Sequence, residues 1–149
     1  MRFPYVRLKT KASVPSLGGQ WERPKALALV FLIGPVGTKA RRGLLDTGAD
    51  DVVFPDQWAA QVGFDLTNAP SGEASGVGGV PLSVRYAVAT LRMTDGTEFR
   101  EWRAWVGFAP VPLLWPLLGF AGCLQFFSAN FLGDREEVEL TVNSLYPGT

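Results

Sequence analysis

The chemistry available to this chain is concentrated in Leu44-Leu45-Asp46-Thr47-Gly48-Ala49-Asp50-Asp51, where an apolar strand delivers a carboxylate into a glycine turn and two more acids follow. A strand of the Gly43-Leu44-Leu45 type would ordinarily continue apolar, because an uncompensated carboxylate in a core costs several kcal/mol. Gly48 permits a tight turn close to the acid, and Thr47 brings a hydroxyl able to tie the loop to neighbouring backbone. Asp46 therefore reads as an acid held rigidly at the end of a strand. The chain has no histidine and a single cysteine, Cys123. Internal disulfides, nearly all zinc sites, the Ser-His-Asp triad and the Cys-His dyad are thereby excluded, and acid–base chemistry must run on carboxylates. Asp50 and Asp51 have no third spaced ligand, which argues against a metal site of the calcium type. No cofactor fingerprint is present either: the glycines from Gly76 to Gly79 lead into a strand pattern, whereas a dinucleotide or phosphate loop leads into a helix.

The elements that must position Asp46 are mostly strands. Ala26 to Ile33 is an apolar β-rich run expected to be buried on both faces, and Gly34-Pro35-Val36-Gly37 turns it back into Thr38 to Leu45, which aims Asp46 at its far end. Val52 to Phe54 is strand-like, and Pro55 to Val62 is a short helix with proline at its first position and Gly63 just beyond its end. Trp58 and Val62 share its buried face. A glycine-rich stretch, Ser75 to Pro81, then opens a long alternating strand with Leu82, Val84, Tyr86 and Val88 on one face. Asp95-Gly96 is a strong hairpin signal, and Thr97 to Val106 returns. Val111 to Leu118 is apolar but interrupted by proline, and reads as an irregular strand lining a cavity, with Leu114 and Trp115 as wall residues. Phe120 to Phe126 suits a buried helical turn, and two alternating strands around the turn Gly133 to Glu136 close the chain. Phe3 to Leu8 suits a short strand and Pro15 to Pro24 a loop.

Composition bounds the rest. A chain of 149 residues, 47% of them hydrophobic, supports one core, burying roughly 70% of its unfolded surface. Fourteen basic residues balance fourteen acidic ones, so there is no electrostatic footprint for nucleic acid or an anionic membrane. No apolar run is long enough for a membrane span or a signal-peptide core, and a soluble cytoplasmic protein is expected.

LLDTGADD, the glycine-rich SGVGGV some thirty residues later, and Leu117-Leu118-Gly119 further on resemble, in order and spacing, the active-site loop, flap and closing loop of retropepsin-like aspartic proteases. The resemblance spans roughly Ala26 to Val142 and is nearest to single-domain cellular or bacterial members. It implies a mostly β fold, a closed antiparallel barrel with one or two short helices, one of them C-terminal, and a homodimeric enzyme acting on peptide or protein substrates. Residues 26–142 would be the protease domain, 1–25 an N-terminal strand and loop segment related to the dimer, and 143–149 a tail. Carried over position by position, Asp46 would be the catalytic aspartate, with Thr47 and Gly48 bracing it. Ala49, Asp50 and Asp51 would line the substrate, Val77, Gly78 and Gly79 would form the flap tip, and Leu117 and Leu118 would lie beside the catalytic strand. Viral members usually follow the closing-loop glycine with an arginine that braces the acid two residues past the catalytic glycine; this chain has Phe120. That departure leaves a second reading, a non-catalytic peptide-binding or protein-interaction module on the same fold.

Overall fold

Alternation of apolar and polar residues becomes strand along most of the chain. The computed structural model describes residues 1–75 and 80–149. Its strands are β1 (Arg2–Pro4), β2 (Val6–Val14), β3 (Gln20–Lys25), β4 (Leu27–Ile33), β5 (Thr38–Leu45), β6 (Val52–Pro55), β7 (Ser71–Ser75), β8 (Pro81–Thr94), β9 (Phe99–Ala109), β10 (Leu117–Leu118), β11 (Phe127–Leu132) and β12 (Glu137–Val142). One α-helix, α1 (Asp56–Val62), and 3-10 turns at Pro15–Leu17 and Leu124–Phe126 complete the described elements. Among the described residues no helix is long and apolar enough to cross a membrane.

The main sheet runs β4-β5-β10-β6-β9-β8-β7, and β4 also pairs with β8, so the pairings return on themselves in a ring with β7 attached outside it. Most pairings are antiparallel, as expected, and two are parallel: β10 lies parallel to β5, and β6 parallel to β9. The reason is the threading. β5 and β6 flank β10, which is antiparallel to β6 and therefore parallel to β5.

Local chemistry explains the strongest elements. On β9, Trp102, Ala104 and Val106 point into the core while Arg103 and Trp105 face out. The β8–β9 turn is fixed by Asp95, whose Oδ1 accepts from the N–H groups of Thr97 and Glu98 at 2.9 and 3.0 Å, with Gly96 at φ 93° supplying the left-handed residue. On β4, Ala28, Val30 and Leu32 are fully buried but Leu29 is exposed, so this strand covers the core with one face, not two. In α1, Trp58 and Val62 are buried as their spacing requires, Pro55 sits at the N-cap, one position earlier than expected, and Gly63 ends the helix in the left-handed region.

The chain ends differ more. Pro15 to Pro24 is not simply a loop: β3 pairs with β2 as a two-stranded ribbon, and Pro24 is tolerated there because each strand of such a ribbon has a free edge. β1 is separate from β2 and pairs with β12, which pairs with β11. The turn before β12 is tied to this N-terminal segment by the Arg7–Glu136 ion pair. The C-terminal α-helix implied by the family resemblance is replaced by the 3-10 turn Leu124–Phe126 and the β11–β12 hairpin. Their apolar faces close on Trp102, whose ring meets Phe126, Phe127 and Tyr146 edge-on and whose Nε1–H donates to the Gly122 carbonyl at 2.8 Å. Tyr146 thus joins the tail to the core.

Candidate active site

β5 ends at Leu45 and β6 begins at Val52, and the loop between them straddles β10. Leu118 is in register with Leu45 on one side and with Val52 on the other. The Asp46 N–H donates to the Leu118 carbonyl at 3.2 Å, the Phe120 N–H to the Ala49 carbonyl at 2.9 Å, and the Ala121 N–H to the Asp50 carbonyl at 2.7 Å. Gly119 lies so close beneath the loop that a Cβ there would stand 2.3 Å from the Asp51 carbonyl oxygen and 2.6 Å from that of Ala49. Only glycine leaves room for the loop to descend onto β10. Inside the loop, the Gly48 N–H donates to Asp46 Oδ1 at 2.9 Å, which fixes the carboxylate against its own turn.

Asp46 is half-buried, and Thr47 and Gly48 are exposed at the tip of the loop. The tie expected from the Thr47 hydroxyl is made instead by the Gly48 N–H to the acid itself. Asp46, Gly48, Ala49, Asp50 and Asp51 all line one cavity of about 630 Å³. Leu117 lines it too, but Leu118 does not: it is fully buried and packs where a Cβ on Gly43 would lie 2.9 Å from it. Successive residues of a strand point to opposite faces, so only one of the leucine pair can reach the cavity. Val77, Gly78 and Gly79 lie outside the described residues.

Sequence reasoning missed part of the wall. A small apolar cluster of Val53, Val84 and Ala109 forms its floor, with Leu82 and Leu113 packed beside it. The wall residues expected from the proline-rich segment are displaced: Leu114 is exposed and neither it nor Trp115 lines the cavity, whereas Leu113 does. Alternation along β8 carries the signal for Leu82 and Val84, since both share the face that continues to Tyr86.

Tyr86 is the other residue not anticipated. Its hydroxyl donates to Asp51 Oδ2 at 2.9 Å. Burial first, then this bond and the charges of Asp51 and Asp50, push the phenol up to about 12, so it is a permanent donor near neutral pH. Phe120, which follows the closing-loop glycine, projects 61% exposed. The acid that gains a partner within the chain is thus Asp51, and its partner is neutral. Among the described residues no group of three or more acids, histidines or cysteines is arranged to hold a metal ion. A second cavity of about 670 Å³ between β1, β4 and the β8–β9 turn contains Asp95 as its only acid among the described residues, and that carboxylate is occupied by backbone donors.

The arrangement can hold one carboxylate rigidly at the edge of an apolar cleft with its loop tip open to solvent. A family model described as aspartyl protease matches residues 34–119, more than half of the chain. Among solved structures, the EIAV protease in complex with the inhibitor HBY-793 is similar at 20% identity with a TM-score of 0.37, over 64% of this chain and 81% of that one. No curated protein sequence matches.

Proposed function

This chain belongs to the retropepsin-like aspartyl proteases, and on that premise we propose that it is an endopeptidase whose catalytic pair consists of two Asp46 carboxylates, one from each protomer of a homodimer. The observation that carries the reading is the setting of Asp46: pinned through its N–H to β10 and through its carboxylate to Gly48, it opens on an apolar cavity at a loop tip that is itself exposed. A single carboxylate cannot be both base and acid in one step. Two of them roughly 3 Å apart share one proton, because like charges that close cannot both ionise. The ionised member takes a proton from a water held between them, and that water attacks the scissile carbonyl. The protonated member hydrogen-bonds the carbonyl oxygen and stabilises its developing charge. The pair titrates as a unit. Substrate enters extended, its side chains alternating into pockets such as the one walled by Leu82, Leu113 and Leu117.

The test is subunit mixing. Asp46→Asn alone should lose peptide cleavage by at least about a thousandfold while keeping its melting temperature and its sedimentation behaviour. Mixed with wild type and allowed to exchange, it should depress activity more steeply than simple dilution, because every mixed dimer carries one amide in the pair. Cleavage by the variant at the wild-type rate, or strictly linear dilution, would refute the shared dyad. Rate against pH should be bell-shaped with its maximum on the acid side.

A further inference from the structure

The cavity beside Asp46 is charged in one sense only. Asp46, Asp50, Asp51 and Glu73 line it, and among the described residues no lysine or arginine does. The floor is apolar. An aliphatic stem ending in a cation is the side chain that matches an apolar floor with an acidic rim.

Tyr86 turns one of these acids into a directed acceptor. Its ring is confined between two positions that carry no side chain: a Cβ on Gly72 would lie 3.0 Å from the ring, and one on Gly107 3.3 Å from it. Its backbone is also fixed, the Tyr86 N–H donating to the Pro70 carbonyl at 2.8 Å. A ring with so little freedom fixes the oxygen it bonds, Asp51 Oδ2. Among the described residues no donor bonds Asp51 Oδ1. Tyr86 is neutral, so the hydrogen bond orients the carboxylate and leaves its charge uncompensated, where an arginine would have cancelled it.

We infer that Tyr86 is a positioning residue that holds Asp51 to receive a cationic substrate side chain, which makes the cleft selective for a lysine or arginine close to the scissile bond. The inference rests on the proteolytic reading and adds to it the substrate class. Glu73, from β7 at the rim of the same cavity, reinforces the preference, and acidic side chains are excluded by the same charges.

Peptides identical except for lysine, norleucine or glutamate, placed in turn on either side of the scissile bond, provide the test, since lysine and norleucine differ chiefly at the terminal ammonium. At its best position lysine should exceed norleucine by about tenfold or more in kcat/KM, mainly through KM, and glutamate should be poorest. Tyr86→Phe, which keeps the ring and removes the hydroxyl, should shrink the lysine-to-norleucine ratio several-fold, and Asp51→Asn should shrink it further; unchanged urea midpoints would show both variants folded. Equal use of lysine and norleucine by the wild type, or an undiminished ratio in Tyr86→Phe, would overturn the inference. Should none of the peptides be cleaved, the proteolytic reading falls instead. The same peptides, fluorescently labelled and titrated into the Asp46→Asn protein, then decide this one: tighter binding of the lysine peptide supports it and equal binding refutes it.

Discussion

The backbone N–H of Asp46 donates to the carbonyl of Leu118, so the candidate catalytic acid is held by a strand of two residues from the far end of the domain. The two leucines of that strand have opposite duties. Leu118→Ala removes a fully buried side chain and should lower stability by about 2–5 kcal/mol in urea titrations, with loss of cleavage as the loop loosens. Leu117→Ala alters the cavity wall and should cost about 1 kcal/mol while raising KM about three- to tenfold.

Gly119→Ala would force a methyl group against the carbonyl oxygens of Asp51 and Ala49, which are backbone atoms and cannot swing aside. A loss of about 3 kcal/mol or more is expected, together with activity. Gly133→Ala is the control: nothing lies within 4 Å of its added Cβ, and its urea midpoint should move by no more than about 0.5 kcal/mol.

Asp95 sits in a net of donors. Although partial burial opposes it, the N–H groups of Glu98, Arg2 and Thr97 and the Thr97 hydroxyl hold its carboxyl well below the usual carboxylate range. A carboxyl depressed in the folded state stabilises the fold above its unfolded value of about 3.9 and gives that stability up as pH falls toward the folded value. Asp95→Asn should therefore melt below wild type at pH 7, with the difference narrowing below about pH 4. Melting curves by circular dichroism across that range would show it; a gap independent of pH would contradict the linkage.

Trp102→Phe should keep much of the aromatic packing against Phe127 and Tyr146 but strip the Gly122 carbonyl of its buried donor. About 1–3 kcal/mol of stability should go with it, readable in the urea midpoint.

What was legible in the sequence was what is locally caused. β5, α1, the Asp95-Gly96 turn and the β11–β12 hairpin follow from periodicity and turn residues a few positions apart, and so does the carboxylate at the end of β5. The rest depends on contacts between distant segments. β10 has two residues and no periodicity; it exists because β5 and β6 lie on either side of it. Leu117 and Leu118 look alike in sequence, and only their places on opposite faces of β10 separate the cavity wall from the core. β3 is masked in the sequence by Gly18, Gly19 and Pro24, which outweigh the alternation around them. Tyr86 could be placed on a face, but nothing in the sequence says that its hydroxyl reaches Asp51, from which a helix and two strands separate its own strand.

The insertion of β10 between β5 and β6 also sets an order of assembly. Hairpins such as β4–β5 and β8–β9 close over short spans and can form early, whereas the brace on Asp46 must wait for residue 118 to find residue 45. On a ribosome the acid is translated, and its hairpin formed, before β10 exists to hold its backbone. Newly made chains thereby lack the brace on Asp46 until residue 118 is in place, and in a refolding experiment any peptide cleavage should emerge with the slowest phase, after most of the strand signal has returned.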